Sequence, residues 1–224
     1  MKHNVLLLGG NGDIGTSIKN KFETNGYEVN APASALLNLE NMSQIDSFMK
    51  KQNGFDVIIQ CAGINNPLPI DQISEQELLK TFYINVFGFY KIIQLNIEHF
   101  KKIKNGWVLG ISSIYGQVAR EYRSPYVMSK HALNGLIKTI SIELGVYNVK
   151  SNSLSPGFVN TKMTSKNNSP EKIKSFESKI PLGRLAKPED IANTAFFLCS
   201  KENEYINGQN IVVDGGFLAG GFQK

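Results

Sequence analysis

Cysteine, arginine and histidine are all scarce in this chain. The two cysteines, Cys61 and Cys199, belong to no CxxC and no Cys/His grouping. That excludes a disulfide framework and a structural zinc site, and both read as small buried hydrophobes. Only Arg120, Arg123 and Arg184 supplement lysine, no Lys/Arg run exceeds a pair such as Lys101-Lys102, and no basic stripe is interleaved with aromatics. Nucleic acid is therefore not an expected partner. His3, His99 and His131 are scattered without an Asp or Cys at useful spacing, which leaves them structural or surface roles and no metal to hold. The apolar runs, such as Val5 to Leu8 and Val57 to Ile59, fall far short of the ~20 residues that cross a bilayer. No signal-peptide core with a small-residue cleavage site opens the chain, so no membrane is expected and the expected location is cytoplasmic.

What remains is ordinary globular material. With 224 residues, 42% hydrophobic and 19% charged, and a mean hydropathy of −0.18, the chain is neither disordered, collagenous nor coiled-coil. It is long enough to bury about 70% of its unfolded surface around one core, and no linker or repeat divides residues 1–224. The net charge of +5 suits an anionic ligand such as a phosphorylated cofactor.

Short β-rich runs cover Asn4 to Leu8, Tyr27 to Ala31, Val57 to Gln60, Trp107 to Ile111, Val149 to Leu154 and Ile211 to Val213. Helical patterns cover Asp13 to Asn25, Met42 to Lys51, Ser74 to Phe100, Pro125 to Gly145 and Pro188 to Leu198. Strand alternating with helix predicts a doubly wound, Rossmann-type, mostly parallel sheet in a single domain. Between Tyr27 to Ala31 and Leu36 to Leu39 only about four residues intervene, whereas a parallel crossover needs a dozen or more, so one edge strand is expected to be lost or reduced. Ser74 with Glu77 reads as a capping box, and Pro188 as a first helical residue. The least patterned stretch, Lys162 to Lys179, reads as a mobile lid or surface excursion.

The first strand runs into Gly9-Gly10-Asn11-Gly12-Asp13-Ile14-Gly15. Glycines at 9, 12 and 15 let backbone approach a pyrophosphate at a helix N-terminus, although a βα turn also needs glycine for steric reasons alone. Asp13 is awkward near phosphate unless it caps the helix and points away. After the second strand comes Asn30-Ala31-Pro32-Ala33-Ser34, with neither the carboxylate that holds an NAD ribose nor an arginine for NADP. Nothing there repels a 2′-phosphate, and Ser34 has a hydroxyl to donate. NADP(H) is thus preferred over NAD(H), beside the plain reading of Ser34 as a loop residue.

Tyr126 and Lys130, four residues apart on a helix, emerge on one face. An ammonium beside the phenol would favour the phenolate and lower its pKa, making a proton-transfer device. Ser113 follows the strand Trp107 to Ile111, where open α/β sheets bind ligands, and its hydroxyl suits a carbonyl oxygen that gains charge.

With these residues in place the chain resembles the short-chain dehydrogenase/reductase family along nearly its whole length. The likeness includes Cys61-Ala62-Gly63, Asn85-Val86-Phe87-Gly88, Tyr126-Val127-Met128-Ser129-Lys130, Ser155-Pro156-Gly157, Thr161, Gly183-Arg184, Pro188-Glu189-Asp190-Ile191-Ala192 and Asn207-Gly208-Gln209 through Val213-Asp214-Gly215-Gly216. The resemblance implies that Tyr126 is the acid/base and that Lys130 lowers its pKa and holds the nicotinamide ribose. Ser113 would orient the carbonyl, and Asn85 would kink its helix and hold a relay water. It also implies that Gly9, Asn11, Gly12, Asp13, Ile14 and Gly15 hold the pyrophosphate, that Cys61, Ala62 and Gly63 line the adenosine side, and that Pro156, Gly157, Val159 and Thr161 place the nicotinamide. Where the family usually has Asp-Val on the adenine side, this chain has Asn38-Leu39. Its GxxGxxG spacing departs from the GxxxGxG of one branch, with Asp13 in place of the middle glycine.

The expected activity is that of an NAD(P)-dependent oxidoreductase interconverting a small carbonyl and alcohol, foremost an NADPH-dependent reductase of a 3-oxoacyl, sugar or polyol substrate. The alternatives are a non-catalytic dinucleotide-binding sensor and a nucleotide-sugar-modifying relative. A homo-oligomer, dimer or tetramer, is expected, because in such proteins the region corresponding to the apolar tail Gly215 to Phe222 often packs on a neighbour. Trp107 reads as core or interface. Arg120 and Arg123 have forks that suit phosphate, against the plain reading of exposed loop arginines. Specificity is expected from Lys162 to Lys179, Asn65 to Pro69 and Ile114 to Arg123.

Overall fold

A run such as Val5-Leu6-Leu7-Leu8 is apolar at every position because both faces of its strand are covered. In the strand β1 (Asn4–Leu8) successive side chains part company: Leu6 and Leu8 enter one core, Val5 and Leu7 the other. A computed structural model describes residues 3–220 and places β1 in a six-stranded, wholly parallel sheet. The other strands are β2 (Glu28–Asn30), β3 (Val57–Gln60), β4 (Gly106–Ile111), β5 (Val149–Pro156) and β6 (Asn210–Val213), in the order β2-β1-β3-β4-β5-β6.

Helices cover both faces. Helices α1 (Asp13–Thr24) and α8 (Pro188–Leu198) bury Ile18, Phe22, Ile191 and Leu198 on the Val5 side. On the Leu6 side, α2 (Met42–Met49), α4 (Gly88–Ile103) and α5 (Ser124–Gly145) bury Ile45, Phe89, Phe100, Leu133 and Ile137. The chain moves from β1 outward to β2 and then back across to β3, so the sheet reverses its winding between β1 and β3. The carboxyl ends of those two strands flank the crevice where such sheets bind ligands.

The expected loss of an edge strand is visible. The sheet stops at the three-residue β2, and Leu36 to Leu39 forms no strand. Leu37 and Leu39 instead turn inward and seal the core. Leu39 packs so closely on Gly88 that a methyl there would meet the Leu39 carbonyl oxygen at 2.7 Å.

The helix expected over Ser74 to Phe100 is two helices, α3 (Glu75–Phe82) and α4, joined by a π-helical turn at Tyr83–Phe87. The Ser74/Glu77 capping box starts α3 as expected. Lys162 to Lys179 is ordered as two short helices, α6 (Lys162–Asn167) and α7 (Pro170–Lys179), each begun by a capping hydroxyl, Thr161 and Ser169. Phe176 of α7 stacks on Phe158 at 4.0 Å between centroids, and Phe217 meets Phe158 edge-on, forming a small third core under the tail. Of that tail, Gly221 and Phe222 lie outside the described residues.

Among the described residues no helix is long and apolar enough to cross a membrane, and no three His, Cys, Asp or Glu side chains group as metal ligands. His3 and His99 are nevertheless not without an acidic partner. Asp56, at the start of β3, has one oxygen 3.3 Å from His3 Nδ1 and the other 2.9 Å from His99 Nε2. Pairs 53 and 43 residues apart are joined by the sheet and by α4, which spacing could not reveal. Trp107 is core, as expected, with the Lys150 ammonium 5.4 Å from its ring centroid.

Candidate active site

The loops that follow β1, β3, β4 and β5 enclose a cleft of about 440 Å³. Its floor at one end is the glycine turn. Gly9 has φ +82°, and a methyl on it would stand 2.5 Å from the Ala62 nitrogen, so its glycine serves the fold. Gly12 differs: φ is −78°, and a methyl would meet nothing closer than the Gly9 carbonyl oxygen at 3.5 Å. It faces the cleft, and as the residue capping α1 it supplies no side-chain hydrogen bond to the first amides of that helix. A bare helix N-terminus behind an open glycine fits a pyrophosphate. Asp13 also lines the cleft, its carboxylate accepting a 2.7 Å hydrogen bond from the Lys162 backbone amide at the start of α6.

Asn11, Ile14, Gly15, Cys61, Ala62, Gly63, Pro156, Gly157, Val159 and Thr161 all line this cleft. Ser34, Asn38 and Leu39 do not. Ser34 is exposed, Asn38 is held in a local turn by the Glu40 amide and by Gln44, and Leu39 is core. Without the missing crossover, the segment 31–41 drops directly into α2 and leaves these three outside the lining. Cys61, read as a small buried hydrophobe, is half-buried at the cleft wall, and desolvation pushes its thiol up to about 12. Cys199 is buried as expected.

Ser113, Tyr126 and Lys130 also line the cleft, with the Lys130 ammonium close to Gly63. Ser113 lies just past β4, where its hydroxyl accepts the Tyr115 amide at 3.1 Å. Tyr126 and Lys130 are on the first turns of α5, one face apart by a single turn, with the ammonium 5.5 Å from the phenol ring centroid. Burial pushes the Tyr126 phenol up to about 12, opposed by its hydrogen bond with Ser113 and then by Arg123. Burial also brings Lys130 down to about 8. The expected lowering of the phenol by Lys130 is therefore not what this arrangement produces. The ammonium donates to the Ile111 carbonyl at 2.7 Å, lies over the ring, and desolvation of the phenol wins.

Asn85 sits in the π turn, fully buried behind Gly63 and outside the cleft lining. Its amide accepts from Ile64 N (3.0 Å) and donates to Ile64 O (3.2 Å) and Ser129 Oγ (2.9 Å). The Ser129 hydroxyl in turn donates to the Tyr126 carbonyl at 2.8 Å. Asn85 thus fastens the loop after β3 to the helix that carries Tyr126, and a π turn is a frequent device at functional sites.

Sequence reasoning did not single out Asn65, Tyr115, Phe158, Met163 or Asn167, all of which line the cleft. They fall within or beside loops expected to set specificity, but no motif marks the individual residues. Asn167 of α6 reaches across to donate to the Asn65 carbonyl at 3.1 Å. Arg120 and Arg123, read most plainly as exposed, also line the cleft, and Arg123 is only 5% exposed.

A family model described as enoyl-(acyl carrier protein) reductase matches residues 17–218. The chain is 33% identical over 215 residues to the 3-oxoacyl-(acyl-carrier-protein) reductase FabG of Chlamydia trachomatis, covering 95% of this chain and 86% of that one. Among solved structures, ElxO with NADP bound superposes with TM-score 0.88 at 26% identity, over 98% of this chain and 100% of that chain. A 4-hydroxyisoleucine dehydrogenase mutant complexed with NADH and succinate superposes with TM-score 0.91 at 27% identity, over 97% of this chain and 99% of the other.

Proposed function

The chain belongs to the short-chain dehydrogenase/reductase family, oxidoreductases that interconvert carbonyl and alcohol with a nicotinamide dinucleotide, and from that footing we propose that it is an NADPH-dependent ketone reductase whose proton donor is Tyr126. The observation that carries this reading is the convergence of Ser113, Tyr126 and Lys130 on one wall of a cleft whose other end is the bare N-terminus of α1. When bound, the dinucleotide supplies the hydride. The residues that would hold it are the glycine turn at Gly12 to Gly15, the wall at Cys61 to Gly63, and Pro156 to Thr161.

The protein's own residues handle the proton. A phenol held near 12 is fully protonated at neutral pH, the form a donor needs. The Ser113 hydroxyl donates to the substrate oxygen and orients it, Tyr126 then gives that oxygen its proton, and the Lys130 ammonium is at hand to stabilise the tyrosinate left behind. Asn85 is a positioning residue: through Ser129 and Ile64 it fixes the wall on which Tyr126 sits. Preference for NADPH is supported by the lack of a carboxylate from Asn30 to Ser34 that would repel a 2′-phosphate. The 3-oxoacyl reductase among its relatives supports a ketone substrate. We further assign residues 1–224 to one domain of a cytoplasmic homo-oligomer.

Thermal-shift titration with the four nicotinamide dinucleotides, followed by a carbonyl panel read by loss of reduced nicotinamide absorbance, tests this reading. Selective stabilisation by NADPH and turnover of ketones are expected. Stabilisation by NADH alone would overturn the cofactor preference, and binding without turnover of any carbonyl would overturn the reductase assignment.

A further inference from the structure

Arg123 is the residue whose surroundings the proton chemistry leaves unexplained. It caps the start of α5, three residues before Tyr126, and its guanidinium is buried at the cleft wall. Among the described residues its one side-chain hydrogen-bond partner is a neutral oxygen, Asn65 Oδ1, at 2.9 Å. Among the described residues neither Arg123 nor Arg120 makes an ion pair, Arg120 donating to the Tyr115 hydroxyl at 2.8 Å and lying 5.2 Å over the Phe176 ring. Glu121, between them in sequence, is exposed, forms no salt bridge with either among the described residues and acts on Arg123 only at longer range. The third cation at this end, Lys162, also lines the cleft and has no acidic side-chain partner among the described residues, its backbone amide alone meeting Asp13.

Partly desolvating a guanidinium beside a like charge and without a salt bridge is unfavourable, and an anion entering the cleft would offset that cost. The fork of Arg123 has donors left over after Asn65, and Arg120 adds like charge from the same side. Three residues at a helix start separate Arg123 from Tyr126 by about one turn, ~5 Å along the axis. An anion held there lies a few bonds from an oxygen held by Tyr126 and Ser113.

We propose that Arg123 recognises an oxyanion, a carboxylate or phosphate, carried by the carbonyl substrate itself, with Asn65 orienting the guanidinium and Arg120 reinforcing the field. This rests on the reductase reading for the word substrate, and narrows it from carbonyl compounds in general to oxo acids or oxo phosphates. Bidentate geometry makes arginine rather than lysine the suitable residue.

Two matched probe pairs test it: acetoacetate against methyl acetoacetate, and dihydroxyacetone phosphate against dihydroxyacetone. Binding is read by thermal shift at constant ionic strength, with and without saturating NADP⁺, and kcat/KM is read with NADPH. One anionic probe should be favoured over its neutral partner by about tenfold to a hundredfold, the range of a hydrogen bond to a charged group. Which pair shows the preference tells carboxylate from phosphate. Arg123→Gln should abolish the preference and Arg123→Lys should retain part of it. The Tm of Arg123→Gln without ligand should equal or exceed that of the wild type, since a buried charge has been removed. The proposal is overturned if neither anionic probe is preferred, or if the preference survives in Arg123→Gln. Anion binding that depends on Arg123 in a protein that neither binds nor oxidises NADPH would leave this inference standing and sink the reductase reading instead.

Discussion

Asp13 and Lys162 are 149 residues apart, yet the carboxylate of one accepts the backbone amide of the other at 2.7 Å. The contact ties the start of α6 to the glycine turn across the cleft that both residues line. An acidic side chain at a helix start is also favourable to that helix, although here it is donated by a distant element. Asp13→Ala should therefore loosen α6, and trypsin should cut faster after Lys162 and Lys166. Equal cleavage rates in variant and wild type would show that Thr161 alone holds this helix end.

The two glycines of the turn have separable roles. Gly9→Ala meets both a positive φ and the Ala62 backbone at 2.5 Å, and should cost several kcal/mol or prevent folding. Gly12→Ala meets open space at an ordinary φ, so its urea midpoint should stay near the wild type while its dinucleotide-induced Tm shift falls. Loss of stability in both variants would remove Gly12 from the ligand cradle.

Tyr126→Phe removes the phenolic hydroxyl and nothing else. Turnover should fall by about 10²- to 10⁴-fold, the range for losing a general acid, while the Tm shift with NADPH persists. A Phe variant that keeps its activity ends the proton-donor assignment.

Burial sets the pH dependence of the ligand-free protein in a defined direction. Lys130 titrates near 8 when folded against 10.5 when unfolded, so between these values the unfolded chain binds the extra proton and stability rises with pH. Tyr126 runs the other way, keeping its proton to about 12 folded against 10.0 unfolded, so its effect sets in only above pH 10 as a loss of stability. Urea unfolding at pH 9.5 should give greater stability than at pH 7.5, by an amount of order 1 kcal/mol, and Lys130→Met should remove most of that rise. An unchanged rise in the variant would place the titration elsewhere, for instance at Lys150, which burial also lowers.

Much of the site could be read from sequence because its parts are short-range. The glycine turn follows β1 without a gap, Tyr126 and Lys130 are one helical turn apart, and Ser113 lies just past β4. Periodicity alone then fixes which end of the sheet they occupy. The missing edge strand was legible for the same reason, since four residues cannot make a crossover. The lid was not. Lys162 to Lys179 has little apolar periodicity, and its helices are held by Thr161, Ser169, Asp13 and a few contacts such as Phe176 on Phe158.

Sequence by itself determined the parallel doubly wound sheet, a glycine turn after the first strand and the placing of Tyr126 and Lys130 on one helix face, because each depends on alternation, helical spacing or adjacency, while the roles expected of these residues and of Ser113 came with the family resemblance. Only the tertiary structure decided that Asp56 joins His3 to His99, that Ser34 and Asn38 stay outside the cleft, and that Arg123 is buried in it. It also decided that burial, not Lys130, governs the Tyr126 phenol. Those outcomes turn on which surfaces lose water and which distant groups then meet, and desolvation is a property of the packed whole that no local spacing encodes.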